Sequence, residues 1–417
     1  MQSVLFLCHR LPWPPSKGDK IRAYHVLRRL AARYRVYLGT FVDDPDDWRH
    51  VDAVKAVCAD VCIRPLPRWR VRARMLLALA RNEALTLGCY RDRVLQRWIE
   101  SLLAARKIDV ALCYSSGVAP LVLRHDTLPR VMDFVDADSD KWRQYAAARS
   151  GVAHVLYARE ARKLAAFEQR VAKRFSASVF VSAAEAAFFS ARAPDIAGKV
   201  RGIPNGVDCD YWNPARAYPN PFRAGEHALV FTGAMDYRAN VDAVQWFADA
   251  VWPQVHARCP DAAFYIVGSN PDAAVLALAS RPGVVVTGRV DDVRPYLAHA
   301  HAAVAPLRIA RGIQNKVLEA LAMEKVVLAT PTAWEGITDF AGRAGRISAA
   351  PDALAAEAVS VLALVTPQRV PAARVHVQAH YNWGRNLDAY EAVLREASRT
   401  PAPALAMTHA PLRQACP

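Results

Sequence analysis

A chain of 417 residues is long for one hydrophobic core, and 53% hydrophobic with 22% charged residues is a globular mixture that excludes a disordered chain. No apolar run approaches the roughly 18–20 residues needed to span a bilayer. The formal charge of +15 is lopsided: residues 1–208 hold 35 Lys and Arg against 21 Asp and Glu, and the remainder holds 19 against 18.

In chain order, apolar strand-like runs alternate with helical patterns, the pattern of parallel α/β units. Strands are expected at Val4–Cys8, Val36–Phe41, Val61–Arg64, Val110–Tyr114, Val131–Val135 and Val179–Val181, with helices such as Ile21–Tyr34 and Tyr157–Phe175 between them. The pattern restarts with strands at Ala228–Thr232, Ala263–Val267, Val284–Thr287, Ala302–Pro306 and Val326–Ala329. Helices are expected at Asn240–Val255, Asp272–Ala279, Val293–Ala300 and Gln314–Met323. Residues 1–203 then form one Rossmann-like domain, 204–224 a linker rich in Pro, Asn and Gly, and 225–380 a second such domain. A helix over 381–398 has the length to cross back to the first domain, and the proline-bearing tail 399–417 is expected to be disordered.

Val4–Cys8 is too short for a signal-peptide core and runs straight into His9, Arg10 and Pro12, so a cytoplasmic protein with reduced cysteines is expected. The eight cysteines contain no Cys-x-x-Cys pair, and neither a metal nor a cofactor is expected. Arg64, Arg68, Arg70, Arg72 and Arg74 interleave with Trp69, Met75, Leu76, Leu77 and Leu79. A solvated surface helix is the plain reading of such a run; attachment to an anionic membrane surface is the sharper one. Nothing resembling a nucleic-acid-binding motif accompanies the charge, so no nucleic-acid partner is expected.

The most specific stretch is Ala302–Thr330. A buried strand ends near Pro306, a loop carries Gly312, and a helix begins near Gln314. Gly312, Ile313, Gln314 and Asn315 can offer backbone N–H groups to a diphosphate at a helix N-terminus, with Lys316 as an added cation. Glu319 is placed to accept hydrogen bonds from ribose hydroxyls. On spacing alone, a first-turn lysine and a solvated glutamate would explain the same residues.

This stretch resembles the donor-site loop and helix of family 4 glycosyltransferases of the GT-B fold. Ile203–Asp208 (IPNGVD), Phe231–Tyr237 with Asn240, Phe264–Gly268 and Val286–Val290 resemble further motifs of that superfamily, in the same order, and the resemblance spans residues 1–398. It implies two Rossmann-like domains facing a cleft, a UDP- or GDP-sugar donor, and transfer with retention of configuration. Gly233, Arg238, Gly268 and Arg308 join the expected donor contacts, and Lys316 and Glu319 the expected catalytic set. Pro15–Arg22 with His25, and Asp133–Trp142, resemble the bacterial exopolysaccharide sugar transferases linked to the PEP-CTERM/exosortase system. This implies a lipid-linked saccharide acceptor at the inner face of the plasma membrane. Gly18, Asp19, Lys20 and Arg22 would then form an acceptor or phosphate loop, and Asp136 would face the reacting sugar.

Two departures stand out. Arg311 occupies the place of the superfamily's first donor-loop Glu, eight residues before Glu319, and Ala234 and Ala239 fall where an Arg and a Lys are usual. A catalytically weak, membrane-attached scaffold or sugar-nucleotide-binding subunit therefore stands as an alternative. A dinucleotide-dependent oxidoreductase does not, because neither Gly18 nor Gly233 begins a Gly-x-Gly-x-x-Gly.

Overall fold

A computed structural model describes residues 1–15, 18–310, 312–337 and 344–399, without the side chains of Gly18 and Asp19. The first half runs β1 (Ser3–Cys8), α1 (Gly18–Arg33), β2 (Arg35–Val42), α2 (Val51–Lys55), β3 (Asp60–Pro65), α3 (Arg68–Ala80), α4 (Leu85–Cys89) and α5 (Arg93–Ala104). It continues with β4 (Val110–Tyr114), β5 (Arg130–Val135), α6 (Asp138–Ala147), α7 (Gly151–Arg174), β6 (Ala177–Phe180), α8 (Ala183–Arg192) and β7 (Val200–Gly202). These strands form a parallel sheet in the order β3-β2-β1-β4-β5-β6-β7.

The second half restarts with β8 (His227–Thr232), α9 (Arg238–Trp246), α10 (Trp252–Arg258), β9 (Ala262–Val267), α11 (Ala273–Ala277), β10 (Val284–Gly288) and α12 (Arg294–His299). It ends with β11 (Ala302–Ala305), α13 (Asn315–Ala322), β12 (Val326–Ala329), β13 (Gly345–Ile347), α14 (Pro351–Leu362), α15 (Pro371–His380) and α16 (Trp383–Arg399). Its parallel sheet has the order β10-β9-β8-β11-β12-β13. Both sheets thus share the doubly wound 3-2-1-4-5-6 order, in which ligands bind beyond the carboxyl ends of the strands where the order reverses.

The near-continuous apolar runs of the central strands follow from burial on both faces. Val4 to Leu7, Val110 to Cys113 and Val326 to Ala329 are wholly inaccessible. The short edge strands β7 and β13 escape the sequence pattern, because three residues at a sheet margin carry no period to detect. The expected helix over 240–255 is broken by a π-helical turn at Phe247–Val251 ahead of Pro253. The proline lacks the N–H that would continue the ladder.

Residues 203–226 contain no helix or sheet strand, and an isolated bridge between Val207 and Asn382 ties this segment to the start of α16. Trp383, Leu387, Tyr390, Val393 and Leu394 of α16 pack into the core on one face of the first sheet, so the last helix of the chain belongs to the first domain's core. The tail 400–417, with its expected disorder, lies outside the described residues.

Candidate donor site in the interdomain cleft

The floor of the cleft is built where β8 and β11 end. Lys316, in the first turn of α13, places Nζ 2.7 Å from Asn240 Oδ1 and 3.9 Å from the centre of the Phe231 ring. Neither neighbour carries an anion. Burial therefore lowers the lysine's pKa from 10.5 to about 7, with Glu319 opposing the shift. One turn along, burial raises Glu319 to about 7, against the pull of Lys316. The two groups are poised within one helix turn, at the N-terminal end of a helix whose first N–H groups have no intrahelical acceptor.

Glycines let this floor close up. A Cβ on Gly268 would fall 1.6 Å from the Gly233 carbonyl oxygen, and one on Gly233 would fall 3.2 Å from Lys316 Nζ. Gly312 has φ +64°, and a side chain there would strike Val181 and Asp136 of the first domain at 2.4 and 2.5 Å. The donor loop thus passes against the opposite wall of the cleft with no room for a side chain.

That wall is the loop after β5. Asp136 Oδ2 accepts from Lys141 at 2.8 Å, while Oδ1 is buried, has no hydrogen-bond partner among the described residues and lies beside Gly312. Burial raises its pKa, with Lys141 opposing. The preceding Val135 is held at φ +68°, and Asp136 N–H donates to the Phe134 carbonyl at 2.9 Å, closing a three-residue γ-type turn. A β-branched residue in this region is strained and persists only where its surroundings over-determine it. Here Asp133 Oδ1 accepts from Val135 N–H at 2.9 Å. Buried Glu185 accepts from Ala137 N–H at 3.1 Å, and buried Glu168 from Ser139 N–H at 3.1 Å and Oγ at 2.5 Å.

Other expected site residues are placed differently. Lys20 is buried in an ion pair with Asp47, and Arg22 is buried with Nε 2.8 Å from Asp133 and Nη1 donating to Ile203 O and Asn205 Oδ1. Lys20 and Arg22 thus each face an internal carboxylate, although Arg22 Nη2 is buried without a hydrogen-bond partner among the described residues; Lys17 lies outside the described residues. Gly18 starts α1; the side chain of Asp19 lies outside the described residues. Arg308 pairs with Asp242, with Nε at 3.0 Å. Arg238 stacks over Tyr145 and Tyr157 of the first domain, 4.8 and 5.8 Å from the ring centres. It therefore bridges the cleft instead of lining the donor floor. Ile313 is buried in the second domain's core, and Gln314 folds back onto the Gly312 carbonyl at 3.2 Å. Arg311 lies outside the described residues.

Sequence reasoning missed the relay that joins the two halves. Asp133 Oδ2 accepts from both Arg22 and Tyr390 of α16, Arg22 reaches Asn205, and Asn205 Nδ2 donates to Asn315 Oδ1 at the start of the donor helix at 2.9 Å. Its bonded partners lie up to 257 positions apart, so no local spacing could have joined them.

Residues 226–364 match the family model described as "Glycosyl transferases group 1". The second domain is a glycosyltransferase domain. Among solved structures, sucrose-phosphate synthase from Thermosynechococcus elongatus superposes with a TM-score of 0.69 at 16% identity, covering 95% of this chain and 99% of that one. Anabaena Alr3699/HepE in complex with UDP and glucose gives 0.65 at 13%, covering 95% and 100%. WaaG, a glycosyltransferase involved in lipopolysaccharide biosynthesis, gives 0.59 at 16%, covering 94% and 97%. No curated protein matches the chain. Together these show an enzyme with the GT-B architecture, two Rossmann-like domains facing a cleft.

Proposed function

We propose that this glycosyltransferase moves a sugar, with retention of configuration, from a UDP- or GDP-sugar to a growing lipid-linked exopolysaccharide at the cytoplasmic face of the bacterial plasma membrane. The observation that carries the donor half is Lys316: a half-buried cation at a helix N-terminus, facing an amide and an aromatic ring instead of a carboxylate. Such a cation is stabilised by an arriving diphosphate, which supplies the anion the fold withholds. Glu319, one turn further, would accept from the ribose hydroxyls. Structural neighbours solved with UDP and with UDP-glucose support a nucleotide-sugar donor.

The leaving diphosphate would be stabilised by Lys316 and the N–H groups of the Gly312 loop, and would take the proton of the attacking hydroxyl on the same face. Asp136, whose free Oδ1 faces that loop, is the proposed contact to the reacting sugar. The acceptor half rests on the resemblance of Asp133–Trp142 to PEP-CTERM/exosortase-linked sugar transferases and on the basic first domain.

The engagement of Arg238 and Arg308 with other partners favours a second reading, a weakly catalytic sugar-nucleotide-binding subunit. Thermal-shift screening against UDP, GDP and their sugars, followed by donor hydrolysis assays, separates the two. Stabilisation by one nucleotide, lost in Lys316→Ala, with turnover of its sugar, is expected. Stabilisation without turnover selects the binding subunit, and no stabilisation by any nucleotide overturns both.

A further inference from the structure

Helix α3 buries only Ala78 and part of Val71 and leaves most of its apolar side chains outside. Its inward side carries Arg74, whose guanidinium donates to the Cys89 carbonyl at 3.0 Å and pairs with Asp92 at 3.4 Å. Only Ala78 of the helix is fully buried. Its outward side carries Trp69, Leu76, Leu77 and Leu79, with Leu76 68% exposed. A helix that stabilised the fold by burial would show the opposite arrangement.

A second apolar group projects nearby. Helices α6 and α7 form an antiparallel hairpin whose turn exposes Val152 (86%) and Val155 (65%). The hairpin is tied to the end of α3: Arg159 donates to Asn82 Oδ1 at 3.3 Å and to the Glu83 carbonyl at 3.1 Å. Glu160 accepts from the N–H groups of Leu85 and Thr86, at 2.7 and 2.9 Å. Val155 stands one turn before Arg159, about 6 Å along the axis.

Basic residues predominate around both groups. Residues 64–82 and 141–159 contain no Asp or Glu, and the outward Arg68, Arg72 and Arg81 make no ion pair among the described residues. An apolar face whose outward rim includes Arg68, Arg72 and Arg81 is complementary to a layer with an anionic surface and an apolar interior. Long arginine stems lie along such a layer while their heads meet its phosphates.

We infer that the outward face of α3 and the tip of the α6–α7 hairpin form one docking surface for an anionic phospholipid bilayer, with the leucines and valines entering the headgroup boundary. The hairpin springs directly from the Asp136 loop, so docking would set the first domain's side of the cleft against the bilayer, where a lipid-anchored acceptor is held. The inference rests on the membrane half of the function proposed above and is independent of its donor half.

The test is cosedimentation of the full chain with vesicles of phosphatidylglycerol and phosphatidylcholine, and of phosphatidylcholine alone. Pelleting with the anionic vesicles only, weakened by added salt, is expected. Leu76→Ser with Leu77→Ser, and separately Val152→Asp with Val155→Asp, should each reduce binding about tenfold or more. Each of Arg68→Gln, Arg72→Gln and Arg81→Gln should cost about fivefold. These side chains are exposed, so thermal midpoints and UDP-induced stabilisation should match the parent. Failure to pellet with anionic vesicles, binding unaltered in the hairpin variant, or a dimer dissolved by the same substitutions would each overturn the surface. Vesicle binding without any nucleotide binding would sink the donor reading and leave the surface standing.

Discussion

The two domains repeat one topology, yet the first turns of α1 and α13 treat positive charge in opposite ways. In the first domain, Lys20 faces Asp47 and Arg22 faces Asp133, all of them buried. In the second, Lys316 lies against Asn240 and Phe231, with no ion pair among the described residues. A buried cation beside a carboxylate is already neutralised and belongs to the scaffold. One held against an amide and a ring is left short of an anion, at a cost that loss of its proton or an incoming anion offsets.

The largest effect should come from breaking the scaffold side. Arg22→Met strands Asp133 without its counter-charge and should destabilise the fold by about 3–5 kcal/mol in denaturant titration. A free phosphate-binding arginine would instead lose ligand affinity at constant stability. On the other side, Lys316→Ala should leave the unfolding midpoint nearly unchanged while weakening UDP or GDP binding by about 10- to 100-fold in calorimetry, the scale of a charge-assisted hydrogen bond.

The same lysine sets a pH dependence. With its pKa lowered to about 7, Lys316 is charged below that pH and progressively neutral above it. A bound diphosphate favours the charged form, so affinity should fall as pH rises through about 7. Comparison with Lys316→Arg, which stays charged, removes the titration of the nucleotide itself, and parallel profiles for the two proteins would refute the assignment.

Glu168 tests the wall that holds Asp136. Burial pushes its pKa up to about 8, with the hydrogen bonds from Ser139 opposing. The folded form binds this proton more tightly than the unfolded chain does. The associated stability is complete below about pH 4.5 and is lost as pH rises through about 8. Glu168→Gln should therefore flatten the decline of the thermal midpoint over that window. The smallest effect is expected at Arg308, half exposed and paired with Asp242. Arg308→Ala should alter nucleotide affinity by less than about twofold, and a larger loss would return it to the donor site.

The interior strands of both sheets were readable because burial on both faces leaves unbroken apolar runs such as Val110–Tyr114 and Val326–Ala329. Helix α13 was readable for a similar reason, since glycine, loop and helix start are all local. Charge partners were not. Lys20, Arg22, Arg308 and Lys316 look alike along the chain, and each meets a partner 27 to 111 positions away.

Sequence by itself thus determined two parallel α/β domains, the place of the Gly312 loop and the helix after it, and the imbalance of charge between the halves, because periodicity, glycine and net charge are additive along a chain. Only the tertiary structure decided which cations are free to meet a ligand, that α16 completes the first domain's core, and that α3 turns its leucines outward. Pairing and burial are set by what lies opposite in space, and no residue carries that information alone.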